Sequence, residues 1–195
     1  MMFTGIIEKI GKVTHVTKKD ISQIIGIRID DFNSSLGDSI CINGVCLTVE
    51  DINDNVYLFS ISPETYQLSN FKNIKKDDDV NIEKSLTMNK LLSGHIVQGH
   101  VDTCSKITEL KRIDNSWYVK IKIDSSYMKY IIQKGSITID GVSLTINEVY
   151  TDEFSVMIIP HTFSNTIFRN YKIGSIINTE IDILAKYIER LGNKE

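Results

Sequence analysis

Residues 39–49 read SICINGVCLTV, and residues 136–146 read SITIDGVSLTI. At a shift of 97 positions the two stretches superpose without a gap: Ser39 falls on Ser136, Gly44 on Gly141 and Leu47-Thr48 on Leu144-Thr145. The register holds further along, where Pro63 and Thr65 meet Pro160 and Thr162, and Glu83 meets Glu180. Upstream, Gly5-Ile6-Ile7-Glu8 meets Gly99-His100-Val101-Asp102 at a shift of 94, so a three-residue length difference lies in the intervening loops. The chain is a tandem duplication. A period near 97 is too long for the usual solenoid repeat of about 20–50 residues, and each unit is large enough for a small barrel of its own. The copies are not identical: Cys46 becomes Ser143 and Glu64 becomes His161, so a shared framework carries different reactive groups.

Local patterning says strand. Val56-Tyr57-Leu58-Phe59-Ser60-Ile61, Tyr118-Val119-Lys120-Ile121-Lys122-Ile123 and Ser136-Ile137-Thr138-Ile139 are short, rich in β-branched or aromatic residues, and often alternate apolar with polar. Between such stretches lie Leu36-Gly37-Asp38, Asn43-Gly44, Asn53-Asp54-Asn55, Asp140-Gly141 and Ile173-Gly174-Ser175. Asn-Gly and Asp-Gly are hairpin signals because both residues tolerate the positive φ of a two-residue turn. The expectation is an all-β chain with a first barrel over residues 1–95 and a second over 96–183, joined near 84–97. The tail, 184–195, differs: Ile183, Leu184, Tyr187, Ile188 and Leu191 form a helical stripe opposite Lys186, Glu189 and Arg190, with Gly192 as a stop. So short a helix is marginal alone and has to bury its stripe against its own barrel or another subunit.

Composition bounds the chemistry. With 42% hydrophobic and 24% charged residues the chain can bury a proper core, and its net charge of −3 comes from dispersed, mixed signs, which argues against a nucleic-acid partner. Asp77-Asp78-Asp79 reads as a solvated turn. The start MMFTGIIEKIGKV lacks a signal-peptide pattern, and no apolar run nears the ~20 residues of a membrane span, so a cytoplasmic protein off the membrane is expected. Three cysteines, Cys41, Cys46 and Cys104, without CxxC pairs or zinc spacing, imply reduced thiols and no metal.

Five segments in order, MFTGIIE, NGVCLTV, SGHIVQGHVD, KGSITIDGVSLTI and NTEID, together resemble the riboflavin synthase family over essentially the whole chain. The resemblance implies two tandem six-stranded antiparallel Greek-key barrels and a C-terminal helix that assembles a homotrimer. It implies a transferase that dismutates two molecules of 6,7-dimethyl-8-ribityllumazine, moving a four-carbon unit to give riboflavin and 5-amino-6-ribitylamino-pyrimidinedione. Two identical substrates would account for two similar barrels, with the reacting pair meeting where the first barrel of one subunit faces the second barrel of the next. No cofactor is implied, because the lumazine ring is its own electron sink and acidifies its 7-methyl group. A surrounding shell of lumazine synthase remains open.

The resemblance also assigns residues. His100, Ser143 and Thr145 are placed at the carbon-acid site of the second barrel, Ser39, Cys46 and Thr48 at the equivalent site of the first, and Asp182 supplies a carboxylate near substrate. Substrate contacts are expected from Gly5, Ile6 and Ile7; from Cys46, Leu47 and Thr48; from Ser60, Ile61, Ser62, Pro63, Glu64 and Thr65; and from Gly99, His100 and Val101. The second repeat adds Lys134, then Ser143, Leu144 and Thr145, then Met157, Ile158, Ile159, Pro160, His161 and Thr162. Each residue also has a plainer reading. His100 or His95 suits a strand-end hydrogen bond as well as proton transfer, Cys46 an inert buried thiol, the threonines ordinary strand formers, Lys134 solvated surface, and Asp182 a helix N-cap. Two departures from the family pattern stand out: an extra Met1 before Met2-Phe3, and Pro-His-Thr at 160–162 where Pro-Glu-Thr is usual. A lumazine- or flavin-binding antenna protein is the competing reading, disfavoured because both halves keep Ser, Gly, Leu-Thr and Pro-x-Thr. A flavin-reductase barrel would need a dinucleotide-binding domain to follow.

Overall fold

The computed structural model describes residues 2–19 and 22–192. Each repeat opens on a long antiparallel hairpin, β1 (Lys9–Lys19) with β2 (Ser22–Arg28) in the first and β8 (Thr103–Ile113) with β9 (Ser116–Lys122) in the second. A tight hairpin follows, β3 (Ser39–Ile42) with β4 (Val45–Thr48), matched by β10 (Ser136–Ile139) with β11 (Val142–Val149). Its two turn residues have positive φ in both copies, 46° and 79° at Asn43-Gly44, 42° and 82° at Asp140-Gly141. That is the backbone the sequence anticipates for a two-residue turn.

The remaining strands are β5 (Asp51–Asn53), β6 (Val56–Ile61) and β7 (Asp79–Lys84) in the first repeat, β12 (Glu153–Ile158) and β13 (Ile176–Ile181) in the second. The second repeat closes into a six-stranded barrel in the order β10-β11-β12-β9-β8-β13. The first repeat departs from the expected six: it is a seven-stranded sheet, β4-β3-β7-β1-β2-β6-β5, in the same circular order. Its two ends, β4 and β5, are consecutive in the chain, and together they match the single strand β11. The cause is local. β11 is bulged between Ile146 and Glu148, the positions equivalent to Val49 and Asp51. Both copies tie the first of these residues back to the segment before the tight hairpin, Val49 to Gly37 and Asp38 and Ile146 to Lys134 and Gly135. But Ile146 stays paired with Val156 of β12, whereas the first repeat resumes pairing only at Asp51 with Leu58.

Short helices after β6 and β12, α1 (Pro63–Leu68) and α2 (Pro160–Asn165), both start on proline, whose missing N–H costs nothing at a first helical position. Each barrel has its own core, Phe59, Ile25, Ile27, Ile40, Ile42 and Ile82 being fully buried in the first, Phe154, Val119, Ile121, Ile137 and Ile139 in the second.

The repeats meet about a pseudo-twofold axis. Phe3 and Val97, equivalent residues, exchange backbone hydrogen bonds at 2.7 and 3.2 Å. The Asn81 side chain donates to the Asp140 carbonyl at 2.9 Å, and the Asn178 side chain to the Asn43 carbonyl at 2.8 Å. Reciprocally, Asn178 Oδ1 accepts from Asn70 N and Asn81 Oδ1 from Ile167 N. Buried donors on each side are thus satisfied by the other, which fixes the two barrels as one body.

The tail is the expected helix, α3 (Ile183–Gly192); residues 193–195 of the anticipated segment lie outside those described. Asp182 caps it, its Oδ1 accepting from Leu184 N at 3.0 Å. Ala185 packs on the second core and Glu189 bonds Lys129 and Tyr130, while Leu184, Tyr187, Ile188 and Leu191 are 55–71% exposed. The stripe is therefore not buried on its own barrel.

Candidate functional site

The segments that precede β1 and β8 cross over between the barrels. Ile7 packs against the second core and Val101 against the first. Each crossing is secured twice. The Glu83 carboxylate accepts from Thr4 N at 2.8 Å, Thr4 Oγ1 at 2.7 Å and Gly5 N at 2.9 Å; the Glu180 carboxylate accepts from Gln98 N, Gly99 N and His100 N at 2.6, 2.9 and 3.0 Å. Beyond that clamp the Gly5 carbonyl takes the Ser143 N–H, and the Gly99 carbonyl takes the Cys46 N–H, both at 2.8 Å. Gly5 and Gly99 have φ of 77° and 76°, and a Cβ on either would lie 2.7–2.8 Å from the facing Ser143 or Cys46 nitrogen. Glycine is therefore required at both by backbone conformation and by space.

The first cleft, about 470 Å³, is lined by Val45, Cys46, Glu64, Thr65, Leu68, Ser69, Gly99, His100 and Val101. Its floor is strand β4, one wall is helix α1, and the other wall is the crossing segment held by Glu180. Ser62 caps α1 by accepting from Thr65 N at 3.2 Å, which sets the face that Thr65 turns to the cleft. Burial pushes the Cys46 thiol above its ordinary value, and a hydrogen bond with Ser39 pulls it back. Little thiolate is present at neutral pH, so Cys46 is suited to lining a pocket rather than to attack.

In the second repeat Ser143 takes the hairpin position that Cys46 holds in the first. The neighbouring surface, about 420 Å³, is lined by Ile7, Glu8, Lys9, Ile10, His161, Ser164, Asn165 and Arg169. Here the linker reaches in: His95 Nδ1 lies 2.7 Å from Ser143 Oγ and its Nε2 3.0 Å from Thr138 Oγ1. Burial holds the His95 imidazole below its ordinary value, with the Asp182 charge acting the other way. Burial raises both clamp carboxyls, Glu180 to about 7 against the pull of its three N–H bonds and Lys186, and Glu83 against Thr4, Gly5 and Lys90.

One placement differs from the sequence reading. His100 shares the first cleft with Cys46 and Thr65, because its segment crosses over; it does not stand with Ser143 in the second barrel. Gly5 and Ile7 likewise serve the second barrel. Ile61 and Ile158 turn their side chains into the cores, with Leu47 buried and Leu144 half-buried beside them. Ser39 is buried opposite Thr48, and Thr145 stands opposite Ser136. Ser60 bonds Glu50 at 2.7 Å. Met157 pairs with Tyr118, and Ile159 precedes α2 at the surface. Lys134 is exposed in a turn at φ 67°. Asp182 serves as the helix cap, its charge within reach of His95. The sequence reading passed over Leu68, Ser69, Thr138 and the clamps Glu83 and Glu180 as functional residues; the repetition of the two glutamates at a shift of 97 was the available signal for the clamps.

Comparison with known proteins agrees with the duplication. The Lumazine binding domain family matches residues 4–85 and again 98–182. A riboflavin synthase of Actinobacillus pleuropneumoniae is 41% identical over 97% of this chain and 89% of its own length. That of Bacillus subtilis (strain 168) is 40% identical over 99% and 91%. Among solved structures, LumP complexed with riboflavin superposes with a TM-score of 0.85 at 25% identity, and LumP complexed with 6,7-dimethyl-8-(1'-D-ribityl) lumazine with 0.83 at 24%, each covering 92% of this chain and 99% of the other.

Proposed function

This chain belongs to the riboflavin synthase family, enzymes of the transferase class, and on that premise we propose that it converts two molecules of 6,7-dimethyl-8-ribityllumazine to riboflavin and 5-amino-6-ribitylamino-pyrimidinedione. The observation that carries the reading to the level of sites is the repeated clamp: Glu83 with Gly5 and Ser143, Glu180 with Gly99 and Cys46. Two clefts of one design suit two copies of one substrate, and the different groups in them suit two different roles.

The lumazine ring supplies the electron sink, so the protein has to orient two planar rings and move protons. Orientation turns a bimolecular encounter into a local step, an effect reaching roughly 7–11 kcal/mol in well-aligned systems, and a positioned acid or base adds about 10²–10⁴ in rate. In the first cleft His100 is the group suited to proton transfer, beside Thr65 and Cys46. In the second repeat, Ser143 stands at the position of Cys46. The reacting faces belong to different subunits in this proposal, and the exposed stripe of α3 supports a homotrimer as the assembly that brings them together.

Incubation of the purified chain with the lumazine alone tests the reading. One riboflavin and one pyrimidinedione are expected for every two lumazines consumed, followed by absorbance and chromatography. Saturable binding of the lumazine with no riboflavin formed would overturn catalysis and leave an antenna-type binding protein.

A further inference from the structure

Ser143 is met by a histidine from the linker. The linker comes in so closely at Gly94 that a Cβ there would lie 2.0 Å from the Thr4 carbonyl oxygen and 3.1 Å from Ser143 Oγ. The next residue, His95, donates its N–H to that same carbonyl at 3.2 Å, and Thr4 is pinned by Glu83. The imidazole delivered this way bridges two hydroxyls, Ser143 Oγ at 2.7 Å and Thr138 Oγ1 at 3.0 Å. Ser143 and Thr138 are themselves cross-strand partners in the tight hairpin.

The three groups have a direction. Thr138 is 1% exposed, whereas His95 and Ser143 are half-buried, so the array runs from a buried hydroxyl to an accessible one. A neutral imidazole carries one donor and one acceptor. With Nε2–H donating to Thr138, Nδ1 is left to accept from Ser143, whose oxygen keeps its lone pairs as acceptors. In the first repeat the positions of Thr138 and Ser143 hold Cys41 and Cys46, and the position of His95 falls on Met1, outside the described residues. Two thiols and a methionine cannot form the same array.

We propose that His95, backed by Thr138, is the proton relay for Ser143 at the carbon-acid site that the family resemblance assigns to the second barrel. The C–H bond breaks, its proton passes to Ser143 Oγ as the serine proton passes to His95 Nδ1, and the electron pair stays in the lumazine ring as a conjugated anion. His95 becomes imidazolium with Nε2–H still directed at Thr138, and it returns the proton by the same route when the product is protonated. His95 acts through Ser143 and is a positioning residue rather than one that touches substrate. The inference rests on the riboflavin synthase reading.

Exchange of the methyl protons of 6,7-dimethyl-8-ribityllumazine for deuterium, followed by NMR, isolates this half of the chemistry. Wild type should exchange faster than free solution, and His95→Asn and Ser143→Ala should each slow the catalysed exchange by about 10²–10⁴. The double variant should be no slower than the slower single one, because groups acting as a unit do not add. Lumazine affinity should stay within about threefold throughout, the loss lying in the chemical step. Exchange by His95→Asn within about threefold of wild type, or losses that multiply in the double variant, would overturn the relay. Should His95→Asn fail to fold, Thr138→Val stands in: slowed exchange with intact binding supports the relay, and unchanged exchange overturns it. Riboflavin formation by wild type is the separate check. A wild type that forms none sinks the reading and the relay together, whereas an active wild type with an unaffected His95→Asn sinks the relay alone.

Discussion

Cys46 and Ser143 occupy one position in two copies of the same hairpin, each giving its N–H to a glycine that a glutamate clamps. They keep different company. Cys46 looks onto a cleft of about 470 Å³ that includes His100 and Thr65, while Ser143 is bonded to His95 and, through it, tied to Thr138. Duplication has kept the scaffold and altered the groups that reach in from outside each barrel. Both histidines come from the linker region of the second repeat, yet they serve opposite barrels, because the chain crosses between them at Val97.

The most damaging way to break this asymmetry is to remove one histidine and watch the other cleft. His100→Gln should lower riboflavin formation by about 10²–10⁴, leave lumazine binding in place, and leave methyl-proton exchange near the wild-type rate. That last result separates it from His95→Asn, which should lose both. Steady-state kinetics and the exchange measurement on one preparation decide it; a His100→Gln variant that also loses exchange would mean that the two clefts are not divided as described.

The next effect concerns assembly. Leu184→Lys with Ile188→Lys places two charges on a stripe that is 55% and 71% exposed at those positions. Burying such side chains supplies roughly 1.5–3 kcal/mol each, so in the proposed homotrimer the double change should separate subunits without unfolding the barrels. Turnover should fall about tenfold or more as the oriented encounter is lost, with lumazine still bound. Sedimentation shows whether the variant is monomeric: a monomer of full activity places the whole site within one chain, and a trimer that survives places the interface on the barrels.

How much of this was legible follows from what each feature depends on. The hairpins at Asn43-Gly44 and Asp140-Gly141, the proline-started helices and the tail stripe are local, and short-range patterns show them. The duplication was visible at long range because one register runs from Ser39 to Glu83. The crossing was not. Gly5 and Gly99 repeat whether or not their segments exchange barrels, so nothing local corrected the resemblance-based placement of His100 beside Ser143, and only the packing of Ile7 and Val101 on opposite cores reveals the exchange. The broken closure of the first barrel was hidden for a related reason, since Val49-Glu50 looks like an ordinary strand stretch until its pairing with β6 is seen to begin only at Asp51 with Leu58.

A smaller asymmetry lies at the axis. Asn43 of the first turn is matched by Asp140, fully buried, whose carboxyl accepts from Asn178 N at 2.9 Å, Asn70 Nδ2 at 3.1 Å and the Tyr171 hydroxyl. Burial pushes this group from 3.8 up to about 7, with those hydrogen bonds pulling the other way. A native carboxyl that holds its proton more tightly than the unfolded one contributes stability that is lost as pH rises from about 4 to about 7. Asp140→Asn, which installs the residue of the first repeat, should flatten that decline, and Glu180 and Glu83 supply the slope that remains. Urea unfolding of both proteins across this range measures it; equal slopes would mean that Asp140 is ionised throughout.

The smallest predicted change concerns a pair that diverged inside the barrels. Trp117 on β9 lies beside Ile158 in register, and its ring stacks on Phe163 of α2 at 3.7 Å and 1°. The equivalent position on β2 is Gln23, beside Ile61, facing a helix that carries Tyr66 in place of Phe163. Gln23 is 1% exposed, and neither its amide nitrogen nor its amide oxygen has a hydrogen-bond partner among the described residues. A buried polar group in that state costs about 1–3 kcal/mol. Methionine has nearly the same shape and no such requirement, and it tolerates irregular surroundings. Gln23→Met should therefore raise the unfolding free energy by about 1–2 kcal/mol, a gain of roughly 2–8 °C in Tm for a chain of this size. The same variant should bind the lumazine as wild type does if the amide is merely an inherited defect. A protein that gains stability but loses about tenfold in affinity for the lumazine at the first cleft would show instead that the unpaired amide is kept for the ligand, the mirror image of a second repeat in which Trp117 has closed that space with a ring.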